Sequence, residues 1–236
     1  METLRQKLEG DGFALVPRAI GDEKIAEIIA GLKNAARENG DEVCRRGEVF
    51  AMRNVLQTVP AAREIVPSLR AFVEPILGAG AFAVRAILFD KTPGANWKVP
   101  PHQDLTIAVR DKRDAPGFSG WSEKAGVLHV QPPLEILENM LTLRLHLDNC
   151  DENNAPLQIV PGSHLWGKID SQEITARRAG HATVSCVLPR GGALLMRPLI
   201  LHCSSAAKTA THRRVLHIEW ASEELPHGLK WHEKYA

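Results

Sequence analysis

The 236 residues carry 29 Lys and Arg against 28 Asp and Glu, a net charge of +1, which excludes a bulk electrostatic draw to nucleic acid or to an anionic membrane. Hydrophobic residues make up 44% of the chain, enough for a sizeable core, and no apolar run approaches the length needed to cross a bilayer. The length suits one large domain or two small ones, and all-β barrels and sandwiches often reach it as one.

The first residues, METLRQKLEGDGF, are charged and lack the apolar centre of a signal peptide. GFALVP (12–17) reads as a short strand. Residues 22–38 place Ile25, Ile28, Ile29 and Leu32 on the stripe of an amphipathic helix, with Asp22 as its N-cap and Gly40 as its stop. A second helix is predicted from Ser68 to Leu77. The G-x-G-x-x-A match at Gly78–Ala83 follows a helix and precedes a strand, the reverse of the dinucleotide-binding order, and reads as a helix stop. Four scattered cysteines (Cys44, Cys150, Cys186, Cys203) form no CxxC and fit a reducing, cytoplasmic location.

From residue 82 the texture changes. Residues 83–89, 105–109, 126–130, 141–148, 156–161, 182–189, 192–198 and 214–220 read as strands, short, aliphatic and bounded by Gly, Pro, Asn or Asp. About eight such strands predict a barrel or a double-sheet jelly roll rather than alternating βαβ units. Residues 110–125 and 162–181 read as long loops, which in compact domains are often lids or binding elements. DENNAP (151–156) is a turn ahead of a strand.

In PPHQDLTIAV (100–109), read as a strand, His102 and Asp104 share a face and Gln103 points the other way. Such a pair is either hydrogen-bonded or two ligands of a divalent metal. A third ligand would come from another strand, and His202 in MRPLILHCSSA is the candidate. Two histidines and a carboxylate on one face of a metal suit a non-haem Fe(II) oxygenase, with positions left for O2 and a co-substrate. Arg213, eleven residues after His202, offers a planar fork for the far carboxylate of a dicarboxylic 2-oxo acid. In the strand of 141–148, Thr142, Arg144, His146 and Asp148 share one face and Leu141, Leu143, Leu145 and Leu147 the other, so the polar face should look into the barrel.

HQD at 102–104, DNCDENNAPLQIVPGSH at 148–164, and His202 followed by Arg213 resemble the phytanoyl-CoA dioxygenase (PhyH-like) family of Fe(II)/2-oxoglutarate oxygenases. The resemblance covers most of 83–221 and, more weakly, the helical part before it. It implies a mainly β fold with helices (α+β): a double-stranded β-helix, jelly-roll or cupin-like core with N-terminal helices packed on one side. The chain is then a single domain, 1–236, with a helical support region at 1–80, the jelly roll at 81–222 and a tail at 223–236.

By position, His102, Asp104 and His202 match the family's iron ligands, Arg213 the arginine on the distal carboxylate of 2-oxoglutarate, and Ser204 a hydroxyl that joins that contact. Ile87 lies on a strand that lines the co-substrate pocket. Arg144 falls beside the co-substrate, although a structural pairing with Asp148 explains it nearly as well. A one-residue slip would exchange Arg213 for Arg214. Related halogenases lack the carboxylate ligand, so Asp104 makes hydroxylation the expected outcome. The implied activity is hydroxylation of a small molecule, with 2-oxoglutarate and O2 converted to succinate and CO2. The alternatives are desaturation or epoxidation at the same centre, or a cupin-type metal binder without 2-oxoglutarate.

Trp97, Lys98, Gln131 and Arg53 are candidate substrate contacts and His129 a candidate pocket residue; His212, His217, His227 and His232 read as structural or exposed. Arg144, Arg53 and Lys98 would favour an anionic substrate if they face the cavity. Nothing reads as a coenzyme A site, and EKYA at 233–236 is no peroxisomal address. No sequence feature specifies an oligomeric interface.

Overall fold

The computed structural model describes residues 3–39, 44–45, 48–49 and 51–236. Helices α1 (Leu4–Gly10), α2 (Asp22–Asn39), α3 (Val55–Thr58), α4 (Pro60–Glu64) and α5 (Val66–Leu77) surround strand β1 (Phe13–Val16) and the short strands β2 (Cys44–Arg45), β3 (Glu48–Val49) and β4 (Ala51–Met52). Then follow β5 (Phe82–Lys91), β6 (Val99–His102), β7 (Ile107–Val109), β8 (Ser119–Lys124), β9 (Val127–Gln131), α6 (Leu134–Glu138), β10 (Leu141–His146) and β11 (Leu157–Ile159). A 3-10 turn at Ser163–Trp166 and α7 (Ile174–Ala179) lead to β12 (Val184–Cys186), β13 (Ala193–Met196), β14 (His202–Ser204) and β15 (Arg213–Ala221).

The strands build a jelly roll. The major sheet has the order β1-β13-β10-β15-β5-β4 and the minor sheet β12-β11-β14-β6; a three-stranded sheet, β7-β9-β8, stands beside them. Alternation decides what each face of the major sheet meets. One face presents Leu88, Leu141, Leu143, Leu145, Leu216, Ile218 and Trp220, and the helices cover it with Ile25, Ile28, Leu32, Val55, Leu69 and Val73. Each such side chain contributes roughly 1.5–3 kcal/mol on leaving water. The opposite face looks toward the minor sheet, and the functional site lies there.

Several local expectations need correction. Asp22 is the first residue of α2, not the cap before it; Gly40 lies outside the described residues. Helix α1 was not predicted, although Thr3 and Gln6 form a reciprocal capping box at its start. Gly78 does end α5, at φ 88°, with its N–H on the Glu74 carbonyl. Residues 100–109 are two strands rather than one: β6 ends at His102, and Asp104 sits in the link to β7. Residues 110–125 are not one loop, because 119–124 pair with β9 as β8. Residues 162–181 carry the 3-10 turn and α7. Cys150, Cys186 and Cys203 are free thiols, all buried. No helix among the described residues is long and apolar enough to cross a membrane.

Candidate metal centre and its cavity

A cavity of about 250 Å³ opens between the two sheets. Its walls come from β5 (Arg85, Ile87, Phe89), β10 (Arg144), β15 (Arg213, His217, Glu219), β6 (Val99, His102), β11 (Leu157) and β14 (His202, Ser204), with Trp97 and Asp104 from links. On β5 and β15 these are alternate residues, the partners of the leucines on the helical face.

His102, Asp104 and His202 each offer a ligand atom, all within 4.8 Å of one another. Asp104 lies 3.8 Å from Nε2 of His102 through Oδ1 and 3.8 Å from Nε2 of His202 through Oδ2. These separations are too long for hydrogen bonds, and suit ligands each roughly 2.1 Å from one shared ion. Both imidazoles are set for ligation: Nδ1 of His102 donates to the Pro100 carbonyl at 2.9 Å, and Nδ1 of His202 to that of Ile200 at 2.9 Å. That tautomer leaves each Nε2 lone pair facing Asp104. Burial, opposed by Asp104, lowers His202 to about 4, so it is neutral at pH 7. Burial pushes Asp104 upward, but His202, His217, His102 and Arg144 outweigh it and hold the carboxyl below its ordinary range. Oδ2 of Asp104 is buried with no hydrogen-bond partner. The donor set, its tautomers and this orphaned oxygen fit a divalent metal.

The surroundings lock the ligands in place. Gln103 points away, donating to the Gly167 and Leu199 carbonyls at 2.8 and 2.6 Å and accepting from the Ile169 N–H at 2.8 Å. Ser163 of the PGSH stretch donates to the Val160 carbonyl and accepts from the Leu201 N–H, next to His202. Asp151 accepts from the Asn153 and Asn154 N–H groups, making the DENNAP turn. That turn brings Ala155, at φ 54°, to offer its carbonyl to Nη1 of Arg213.

One end of the cavity is cationic. Arg213 is buried, with Nε unpartnered, while Arg214 is held in a fork on Asp148 at 2.8 and 2.6 Å. The strand register thus puts Arg213 inside and leaves Arg214 structural; Asp148 pairs with Arg214, not with Arg144. Arg144 is buried, with Nη1 donating to Nδ1 of His217 at 2.8 Å. Beside Arg213 on β5 stands Lys91, 0% exposed, its Nζ 3.0 Å from Ser204 Oγ. Burial, then Arg213, lowers Lys91 to about 7; burial, then Arg213, lowers Arg144 to about 10. Among the described residues no carboxylate forms an ion pair with any of these three cations.

Of the residues the sequence pattern points to, His102, Asp104, His202, Arg213, Ser204, Arg144, Ile87 and Trp97 line the cavity. Lys98 is exposed, Gln131 accepts from Lys168 at 2.8 Å, and Arg53, half-buried, and His129, buried, stand outside the lining. His217 is a lining residue and not merely structural: its Nε2 is 4.0 Å from Asp104 and 3.4 Å from Glu219. Arg85, Phe89, Lys91 and Glu219 went unnoticed in the sequence. The two-residue period applied to β10 would have found them on β5 and β15.

Comparison with known proteins fits this arrangement. The family profile described as phytanoyl-CoA dioxygenase (PhyH) matches residues 8–215. An L-proline trans-4-hydroxylase from Streptomyces griseoviridis is 24% identical over 243 residues, covering 89% of this chain and 82% of that protein. An ectoine dioxygenase from Bordetella bronchiseptica is 28% identical over 166 residues, covering 67% of this chain; the match spans about half, 48%, of that protein. The crystal structure of EctD from S. alaskensis with 2-oxoglutarate and 5-hydroxyectoine superposes with a TM-score of 0.69 at 16% identity, covering 92% of this chain and 74% of that one, a likeness of fold.

Proposed function

The chain belongs to the phytanoyl-CoA dioxygenase (PhyH) family, and from that premise we propose that it hydroxylates a compact small molecule beside His102, Asp104 and His202. As a member of that family it is a non-haem iron dioxygenase with Fe(II) as cofactor and 2-oxoglutarate as co-substrate. Bound iron, with 2-oxoglutarate and O2, supplies the oxidising power for a C–H bond, and succinate and CO2 leave.

The chain's own residues do the rest. His102, Asp104 and His202 would hold the metal, their tautomers and charge set in advance. Arg213 and Ser204 take the distal carboxylate of 2-oxoglutarate. Arg144 adds positive charge at that end, Lys91 holds the Ser204 hydroxyl, and Ile87 and Trp97 wall the co-substrate. The observation that carries this reading is the buried pair Arg213 and Arg144, which line the cavity with the ligand triad and, among the described residues, form no ion pair with a carboxylate: a dianion would relieve their mutual repulsion. Asp104 fills the third ligand position, which favours hydroxylation over halogenation. A cavity of about 250 Å³ lies below the usual range of drug-sized sites, roughly 300–1,000 Å³, and must hold two molecules, which disfavours an acyl-CoA. An anionic group on the substrate finds support in Arg85 rather than in Lys98.

Anaerobic titration with Fe(II) and 2-oxoglutarate tests the reading through the visible metal-to-ligand charge-transfer band. The wild type should develop the band, His202→Ala should not, and Arg213→Ala should need far more 2-oxoglutarate. No band in a folded, iron-loaded wild type would overturn it and favour a cupin-type metal binder.

A further inference from the structure

The cavity has a second charged end that the co-substrate reading leaves unused. In the β5–β15 register Lys91 pairs with Arg213, and six residues along β5 Arg85 pairs with Glu219. At a strand rise of 3.2–3.4 Å per residue these rows are about 20 Å apart along the strand. The ligand triad stands between them, beside His217. One row holds cations only; the other holds an ion pair with side chains 12% and 6% exposed.

We propose that Arg85 and Glu219 are the substrate-recognition pair, and that the substrate is a compact zwitterion of the amino- or imino-acid class. This rests on the iron and 2-oxoglutarate reading above. Burying two opposite charges in a cavity wall is weak evidence of stabilisation, because apolar residues of similar volume serve a barrel wall as well or better. A ligand explains the pair more directly. Arg85 donates from Nη2 both to Glu219 and to the Thr106 carbonyl at 3.2 Å, while its Nε is buried without a partner. Arg144 donates to Nδ1 of His217, so the His217 proton sits on Nε2 and faces Glu219 at 3.4 Å. A buried chain Arg144–His217–Glu219–Arg85 therefore holds both charged heads at the cavity wall.

The pair is neutral as a unit, so a simple anion gains at Arg85 and loses at Glu219, and a simple cation does the reverse. A molecule with a carboxylate and an ammonium gains at both. The volume left beside 2-oxoglutarate admits only a small molecule.

The test uses the anaerobic Fe(II)–2-oxoglutarate complex of the full chain. L-proline, L-leucine, L-glutamine and L-lysine are each added beside their methyl ester and N-acetyl derivative, with glycerol and phenylacetate as neutral and anionic controls. Binding is read as a shift of the charge-transfer band, and turnover as succinate release under air. At least one free amino acid should bind about tenfold or more tightly than its ester and its N-acetyl form, the size expected for losing a hydrogen bond to a charged group. In Arg85→Gln the preference over the ester should vanish, and in Glu219→Gln the preference over the N-acetyl form. The wild-type comparison stands even if a variant fails to fold. A band that forms but that no free amino acid shifts, or that esters or phenylacetate shift equally, overturns the proposal. A band that never forms in the wild type overturns the parent reading, a distinguishable failure.

Discussion

The two faces of β5, β10 and β15 differ more than any two separate regions of the molecule. They share backbone, register and hydrogen bonds. One face is leucine, isoleucine, alanine and tryptophan packed against helices; the other presents arginine, histidine and glutamate to a cavity. Thr142 and Leu143 are neighbours in sequence and belong to different environments. The apolar face provides the stability that lets its reverse hold arginines whose Nε atoms are buried without partners, groups costly to bury. A substitution should therefore affect either function or stability according to the parity of its position on the strand.

The largest effect is expected at the centre itself. Asp104→Asn should lower Fe(II) affinity more than about 100-fold, since even outer-shell changes cost 10–100-fold. The cooperative thermal transition should survive, because the helical face is untouched. Metal analysis after gel filtration, beside a melting curve, checks both halves. The adjacent arginines come next. Arg213→Ala should raise the Kd of 2-oxoglutarate roughly 30-fold or more, the loss of one partner of a buried charge pair. Arg214→Ala should leave that Kd within about twofold and instead cost about 1–3 kcal/mol of stability, through the stranded Asp148. Equal effects on 2-oxoglutarate would break the contrast.

Between Leu143 and Thr142 the contrast moves to stability. Leu143, 0% exposed against the helices, should cost about 2–5 kcal/mol as Leu143→Ala. Oγ1 of Thr142 is buried without a partner, so Thr142→Val should be neutral or stabilising. Urea unfolding of the two variants measures the difference.

The same parity explains what could be read from the sequence. LTLRLHLD alternates without interruption, so Arg144 was legible as inward-facing. HQD, His202 and Arg213 were legible because residue type and order specify them. AVRAILF hides its inward row, since Ile87 and Phe89 look like core, and Lys91 falls beyond the last apolar residue. His217 and Glu219 lie in RVLHIEW, where the same alternation was present but the apolar inward Val215 and the outward Leu216, Ile218 and Trp220 masked it. Strand β8 was missed for another reason: both its faces are polar and largely exposed. Its hairpin turn, Ala125-Gly126 at φ 51° and 71°, puts alanine where Asn, Asp or Gly would announce the turn.

The smallest expected effect concerns His146, on the cavity side of β10 and 3% exposed, with Nδ1 unpartnered. Burial first, then Arg144 and Arg213, lowers it to about 3. In the unfolded chain it titrates near 6.5. Between pH about 6.5 and about 3 the unfolded state therefore binds a proton that the folded state refuses, and stability falls as pH falls through that window. Above about 6.5 both states are neutral and the group contributes no pH dependence. His146→Gln should remove up to about 1.4 kcal/mol per pH unit from the acid slope and leave stability at pH 7.5 little changed. Urea midpoints of the apoprotein at pH 7.5, 6 and 5 decide the matter. A variant with the wild-type slope would mean that other buried histidines, His129 among them, carry the acid sensitivity of the inner face.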